Sequence, residues 1–236
     1  MTETEDKYAI HAASCEGRLG AVEALLNANP RLSQRADGDE RLPVHWACAY
    51  NHLAIVSVLA SQRSFDADAT DSAGWTPLHI SASLPANAGL EVMQLLLAKE
   101  ADAKLATTSG GTALHFAASK GNLAVCALLL KNGASARVRD KRGMLPLHRA
   151  AAVGSVPVLK VLLDARSPVD AQDGDGWTAL HHAVSEGHGD VAVELLRRGA
   201  ESKRADKEGK VAIEYAPDAR VGAFIRGEAE KEGIDL

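Results

Sequence analysis

Nine histidines and three cysteines are the side chains in this 236-residue sequence with the strongest capacity for metal or covalent chemistry. A zinc site needs three or four N, S or O donors converging on one point. The densest group is His181, His182, Glu186 and His188, where His182 and Glu186 stand four apart and would share a helix face. No third ligand is specified beside that pair, and Gly187 and Gly189 interrupt the segment. Cys15, Cys48 and Cys126 are far apart and form no C-x-x-C pair, so they read as reduced, small apolar residues. No G-x-S-x-G, H-E-x-x-H or G-x-x-x-x-G-K-[ST] segment occurs. The sequence therefore offers no catalytic residue, no metal ligand set and no cofactor site, and an enzyme is not expected.

The remaining question is what scaffold carries these side chains. The apolar fraction is 46% and the charged fraction 24%, which fits a globular chain and argues against wholesale disorder. Aromatic residues make up 4%, so burial must rest on Ala, Leu and Val. The net charge of −5 disfavours a general nucleic-acid or anionic-membrane binder, because phosphate neutralisation needs a basic surface. No apolar run reaches the roughly 18–20 residues that a membrane helix needs. The acidic start MTETEDKYAI lacks the pattern of a secretory signal, and an intracellular chain is expected.

Most of the histidines are periodic. YAIH, LPVH, TPLH, TALH, LPLH, TALH and VAIE recur along the chain, and their fourth residues are His11, His45, His79, His115, His148, His181 and Glu214. Eight residues before the motif position stand Asp37, Asp71, Thr107, Asp140, Asp173 and Asp206. Five before it stand Gly74, Gly110, Gly143, Gly176 and Gly209, with Glu40 as the exception; such residues suit tight turns. An apolar helical stretch follows each motif, as in LAVCALLLKNGA.

This pattern resembles the ankyrin repeat, T-P-L-H-x-A in units of about 33 residues. The resemblance implies an all-α solenoid of seven helix-turn-helix repeats with β-turn fingers. It divides the chain as a single domain over 1–236 with repeats at about 5–36, 37–70, 71–106, 107–139, 140–172, 173–205 and 206–236. Thr76 and Thr178 read as helix N-caps, and Pro43, Pro77 and Pro146 fit first turns. Gly133 and Gly199 fit the left-handed residue after a second helix, where Glu100 should cost under about 1 kcal/mol. Repeat three carries two extra residues and Pro85, placed between its two helices. The motif histidines are expected to bridge backbone groups of neighbouring turns. The last repeat ends with Val221, Phe224 and Ile225 on a covering helix, and GEAEKEGIDL is expected to fray.

What varies between repeats is the informative part. Positions on the finger tips and the outer end of the first helix, expected to line a concave surface, give Asp39, Arg41, Trp46 and Tyr50 in repeat two and Trp75 in repeat three. They give Lys120 in repeat four, Arg142 and Arg149 in repeat five, and Asp175, Trp177 and Glu186 in repeat six. Tryptophan and arginine often dominate interface energy, so this set reads as a protein-binding face with segregated charge. Trp75 and Trp177 have a second reading, as packing on the next finger.

RLPVHWACAY, DSAGWTPLHIS, VRDKRGMLPLHRAAAVGS and DGDGWTALHHAVSEGHGDVAVELL carry a more specific likeness. They resemble the gankyrin family of proteasome regulatory-particle assembly chaperones. That resemblance implies binding to the C-terminal domain of a proteasomal ATPase subunit, the third of the base, in cytoplasm and nucleus and as a monomer. It places Arg41 and Lys120 against acidic partner residues, Asp39 and Asp71 against basic ones, and Trp46, Trp75 and Trp177 as apolar anchors. The alternative is a generic ankyrin module that inhibits a kinase or transcription factor.

Overall fold

A computed structural model of the chain describes residues 8–236. They form two compact units, divided between Ser109 and Gly110. In the first unit, paired helices run α1 Ala9–Cys15 with α2 Leu19–Ala28, α3 Pro43–Ala49 with α4 Leu53–Ala60, and α5 Pro77–Ala82 with α6 Leu90–Ala98. In the second they run α7 Ala113–Ser119 with α8 Leu123–Lys131, α9 Pro146–Ala152 with α10 Val156–Asp164, and α11 Ala179–Ser185 with α12 Gly189–Arg197. A 3-10 turn at Ala212–Tyr215 and α13 Ala219–Lys231 follow. Among the described residues β pairing is confined to isolated bridges such as Ala205 to Val211, so the fold is all-α.

Each first, inner helix is short and alanine-rich, and each second, outer helix supplies bulk. Within the first unit α3 packs between α1 and α5, and α4 lies beside α2 and α6. Within the second, α9 packs between α7 and α11, and α10 between α8 and α12. Ala117, Ala118, Ala150, Ala151 and Ala183 let the inner helices approach closely, while Val125, Leu129, Leu159, Leu162 and Leu195 fill the layer behind them. All of these side chains are buried. One repeat could not hide its apolar face alone, so stability arises between neighbours.

The motif histidine ties each inner helix to the turn ahead of it. Nδ1 accepts the backbone N–H three residues earlier: Leu42 to His45 at 3.0 Å, Thr112 to His115 at 3.1 Å, Leu145 to His148 at 2.8 Å. Nε2 donates to a carbonyl of the following finger: His45 to Ala69 at 3.0 Å, His79 to Leu105 at 2.9 Å, His148 to Ala171 at 2.8 Å. These roles require the neutral Nε2–H tautomer. Burial accordingly holds His11, His45, His79, His115 and His181 below the ordinary histidine value and takes His148 down to about 4. Glu214 keeps half of this device: its carboxylate accepts Val211 N–H at 2.7 Å but has no proton to give.

The two extra residues of repeat three form a tight turn at Pro85–Asn87 between α5 and α6, with Ala86 and Asn87 at φ 52° and 57°. Glu100 takes the left-handed conformation that glycine has after α8 and α12, at φ 67° against 87° for Gly133 and 86° for Gly199. Arg166 does the same after α10, at φ 62°, which its sequence did not signal. The Thr76 and Thr178 hydroxyls lie 2.8 and 2.9 Å from the Nδ1 of His79 and His181, and Thr76 also caps α5 by accepting the His79 N–H. The expected fraying of GEAEKEGIDL is corrected: α13 continues through Lys231, with Ala229 buried and Arg197 paired to both Glu228 and Glu232. Beyond it, Asp235 meets Ser202 and Lys203.

Candidate functional site

A finger is the turn that precedes each inner helix, and its first aspartate organises it. One carboxylate oxygen accepts two backbone N–H groups of the turn. Asp140 Oδ1 takes Arg142 N and Met144 N, both at 2.9 Å, and Asp71, Asp173 and Asp206 repeat the arrangement. The other oxygen takes a side-chain donor nine residues on, at the inner-helix position just after the motif residue. The donors are Trp46 to Asp37 at 2.8 Å, Arg149 to Asp140 at 2.8 Å, His182 to Asp173 at 2.8 Å and Tyr215 to Asp206 at 2.5 Å. In repeat three that position is Ile80, and Arg41 of the preceding repeat supplies the bond to Asp71 at 3.1 Å. Repeat four has neither partner by type: the residues are Thr107 and Phe116.

These bonds fix the carboxylates as charged. Burial alone would raise Asp37, Asp140 and Asp173, but the side-chain donor together with two turn N–H groups outweighs it and holds each below the ordinary value. The Tyr215 hydroxyl is the largest influence in lowering Asp206.

The sequence-predicted contact residues now separate into two sets. One set is engaged within the fold. Arg41 is bonded to Asp71 and lies over the Trp46 ring at 5.4 Å. Trp46 and Arg149 brace their own fingers. Trp177 donates to Asp206 at 3.1 Å and packs against Tyr215 at 4.7 Å, the next-finger packing that was its second reading. Trp75 stands edge-on to His79 at 6.2 Å. Asp71 needs a correction, because its side chain is only 3% exposed and fully used by Arg41 and two turn N–H groups. It cannot meet a basic partner residue without giving these up.

The other set faces solvent. Asp39, Arg142 and Asp175 occupy finger tips, and Tyr50, Lys120 and Glu186 follow the last turns of α3, α7 and α11. Among the described residues none of these five charged side chains has an ion pair within 4 Å. Tyr50 is 55% exposed. Sequence reasoning missed Val153, which occupies the matching place after α9 and is 43% exposed. Its signal was its spacing, five residues beyond His148, the same as that of Lys120 from His115 and Glu186 from His181. Backbone bonds hold the finger tips in line: Ser72 N to Asp39 O at 3.0 Å in the first unit, and Gly174 N to Arg142 O at 2.7 Å in the second. A Cβ on Gly74 would come within 2.9 Å of Thr108 N, so the close approach of fingers excludes a side chain there.

The residues that opened the metal question are otherwise occupied. His181 is bonded at both ring nitrogens, His182 is on Asp173, and His188 Nε2 is 3.2 Å from Ala152 O. Among the described residues no three His, Cys, Asp or Glu side chains are placed to hold a metal ion. Burial pushes the Cys48 and Cys126 thiols up to about 12, far from the reactive thiolate. Among the described residues no helix is long and apolar enough to cross a membrane. What each unit offers is a set of finger-tip and helix-end side chains held by fixed polar groups, suited to recognition of another protein.

Comparison with known proteins agrees with this geometry. Models described as ankyrin repeats in three copies match residues 9–103 and 83–173, and one described as ankyrin repeats in many copies matches 162–216. The chain is 40% identical over 107 residues to an ankyrin repeat-containing protein of Schizosaccharomyces pombe, covering 44% of each. It is 39% identical over 118 residues to the probable 26S proteasome regulatory subunit p28 of Saccharomyces cerevisiae, covering 48% of this chain and 50% of that one. These matches thus span about half the length of the curated relatives. The human ASB11 ankyrin repeat domain superposes with a TM-score of 0.81 at 24% identity, covering 93% of this chain and 96% of that one, which establishes likeness of fold. By its motif, its helix pairs and these matches, the chain belongs to the ankyrin-repeat family, whose members serve as protein-interaction modules.

Proposed function

We propose that this protein is a gankyrin-like assembly chaperone that binds the C-terminal domain of a proteasomal ATPase subunit, the third of the base, stoichiometrically and without catalysis. The observation that carries the reading is the 39% identity to a probable 26S proteasome regulatory subunit, over nearly half the chain. The geometry supports it through exposed charges of both signs, Asp39, Lys120, Arg142, Asp175 and Glu186, on a scaffold that engages Arg41, Arg149 and Trp177 internally. Opposed charges of this kind speed association at low salt and lose that advantage as the Debye length shrinks. The chain acts as a monomer in cytoplasm and nucleus under this reading.

Titration of the purified protein against the isolated ATPase C-terminal domain tests it. A one-to-one complex is expected, with an association rate that falls as salt rises. Absence of binding to that domain and to the assembled base, at concentrations up to tens of micromolar, removes the proteasomal assignment and leaves the interaction module.

A further inference from the structure

We propose that the row Lys120–Val153–Glu186 is a docking line for a single α-helix of a partner protein, one that presents an acidic, an apolar and a basic residue at i, i+7 and i+14. The inference rests on the interaction-module character of the fold and not on the proteasomal identity of the partner.

The row follows from how the inner helices are used. On α9 and α11 the position after the motif histidine points at its finger, because Arg149 and His182 bond to Asp140 and Asp173. On α7 the same position, Phe116, lies so close to Gly111 that a Cβ there would meet its ring at 3.0 Å. Residues four further on share that helix face. They are Lys120, Val153 and Glu186, and all three are exposed. The first layer is therefore consumed by the fingers, and the second is left for a ligand.

The dimensions suit a helix. Packed helices lie about 8–10 Å apart, which sets the step from α7 to α9 to α11. Seven residues of α-helix rise roughly 10.5 Å. A helix laid across the three inner helices thus offers one residue per repeat from a single face. An extended strand would cover the same step in about three residues and would alternate its faces. Charge then sets the chemistry. The row runs basic, apolar, acidic, and the finger tips beside it carry the same change of sign, from Arg142 in repeat five to Asp175 in repeat six. A uniformly acidic or basic helix would meet repulsion at one end, whereas a helix with opposed ends does not.

The test is calorimetric titration of the full chain with a helix-stabilised peptide carrying Glu, Leu and Arg at the three positions. Peptides with Glu, Leu, Glu and with Arg, Leu, Arg serve as controls. The mixed peptide is expected to bind at least about tenfold more tightly than either control. Lys120→Glu and Glu186→Lys should each weaken it by a similar factor. The double swap should restore binding, since a helix can reverse its direction to meet the reversed row. Val153→Asp should weaken it without restoration by any charge change. Equal affinity for the three peptides, or a double swap no better than its single parents, overturns the proposal. Melting curves for each variant check the fold, which these exposed positions should leave intact. The ATPase C-terminal domain is run as a separate arm. Peptide binding without binding to the domain or to the assembled base removes the proteasomal assignment alone, and domain binding indifferent to Lys120, Val153 and Glu186 removes the docking line alone.

Discussion

In repeat five the finger aspartate, Asp140, is held by Arg149 from its own inner helix; in repeat three Asp71 is held by Arg41, which belongs to the repeat before it. Both carboxylates are nearly inaccessible, with side-chain exposures of 6% and 3%. The turn geometry is the same, with two N–H groups on one oxygen. What differs is the range of the second bond. Nine residues separate the partners in repeat five and thirty in repeat three. The first bond stiffens a repeat, and the second couples two repeats. Nearest-neighbour coupling is what makes a repeat array cooperative, so Arg41 contributes to the seam between repeats and Arg149 to the unit itself.

The largest expected effect is acidification, and it sharpens the contrast between the two kinds of group. The motif histidines have folded values below the unfolded one, so the unfolded state binds more protons in between. Their contribution is complete above about pH 6.5 and is lost as the pH falls through the folded values. For His148, from 6.5 to about 4, this amounts to roughly 3 kcal/mol at most. Asp140 is displaced downward, so its contribution is present above the ordinary carboxylate value and is lost only at still lower pH. Denaturant melts between pH 7 and 3 should therefore show stability falling first with histidine protonation and again, below about pH 4, with the carboxylates. A flat profile from pH 7 to 4 would contradict the neutral-imidazole assignment.

Next come the aspartates. Asp140→Ala and Asp71→Ala each leave an arginine and two turn N–H groups without their acceptor, and each should cost about 2–4 kcal/mol by denaturant titration. The smallest effect is the most discriminating. Arg41→Met and Arg149→Met should each cost about 1–2 kcal/mol. Hydrogen exchange should rise in the fingers of both repeats two and three for Arg41→Met, but in repeat five alone for Arg149→Met. Ile80→Arg should partly rescue Arg41→Met by rebuilding the within-repeat bond; no rescue would mean that the position nine residues on is not equivalent in repeat three.

The scaffold was legible because its physics repeats. A histidine with one fixed distance to an N–H and another to the next finger leaves a mark at five copies, His45 to His181, and so does a turn that needs positive φ. The contact residues were harder to read because composition shows a side chain's type and not its engagement. Arg41 and Lys120 look alike in the sequence, yet one is bonded to a carboxylate thirty residues away and the other is free of ion pairs among the described residues. The engaged set did leave a trace. Asp37 with Trp46, Asp140 with Arg149, Asp173 with His182 and Asp206 with Tyr215 share a nine-residue separation. Thr107 with Phe116 departs at both ends together. Val153 was missed because valine does not announce exposure. The length of α13 was missed because the pairing of Arg197 with Glu228 and Glu232 lies between segments far apart in sequence.

The exchange of imidazole for carboxylate at Glu214 gives the architecture a direction. The copies at His45, His79, His115, His148 and His181 both receive and give a hydrogen bond, so each joins its own turn to the next finger. Glu214 can only receive. A builder wishing to graft an eighth module after residue 216 would find the joint chemically mute until Glu214→His supplied a donor, whereas a module inserted after a histidine-bearing copy would meet a socket already wired for it.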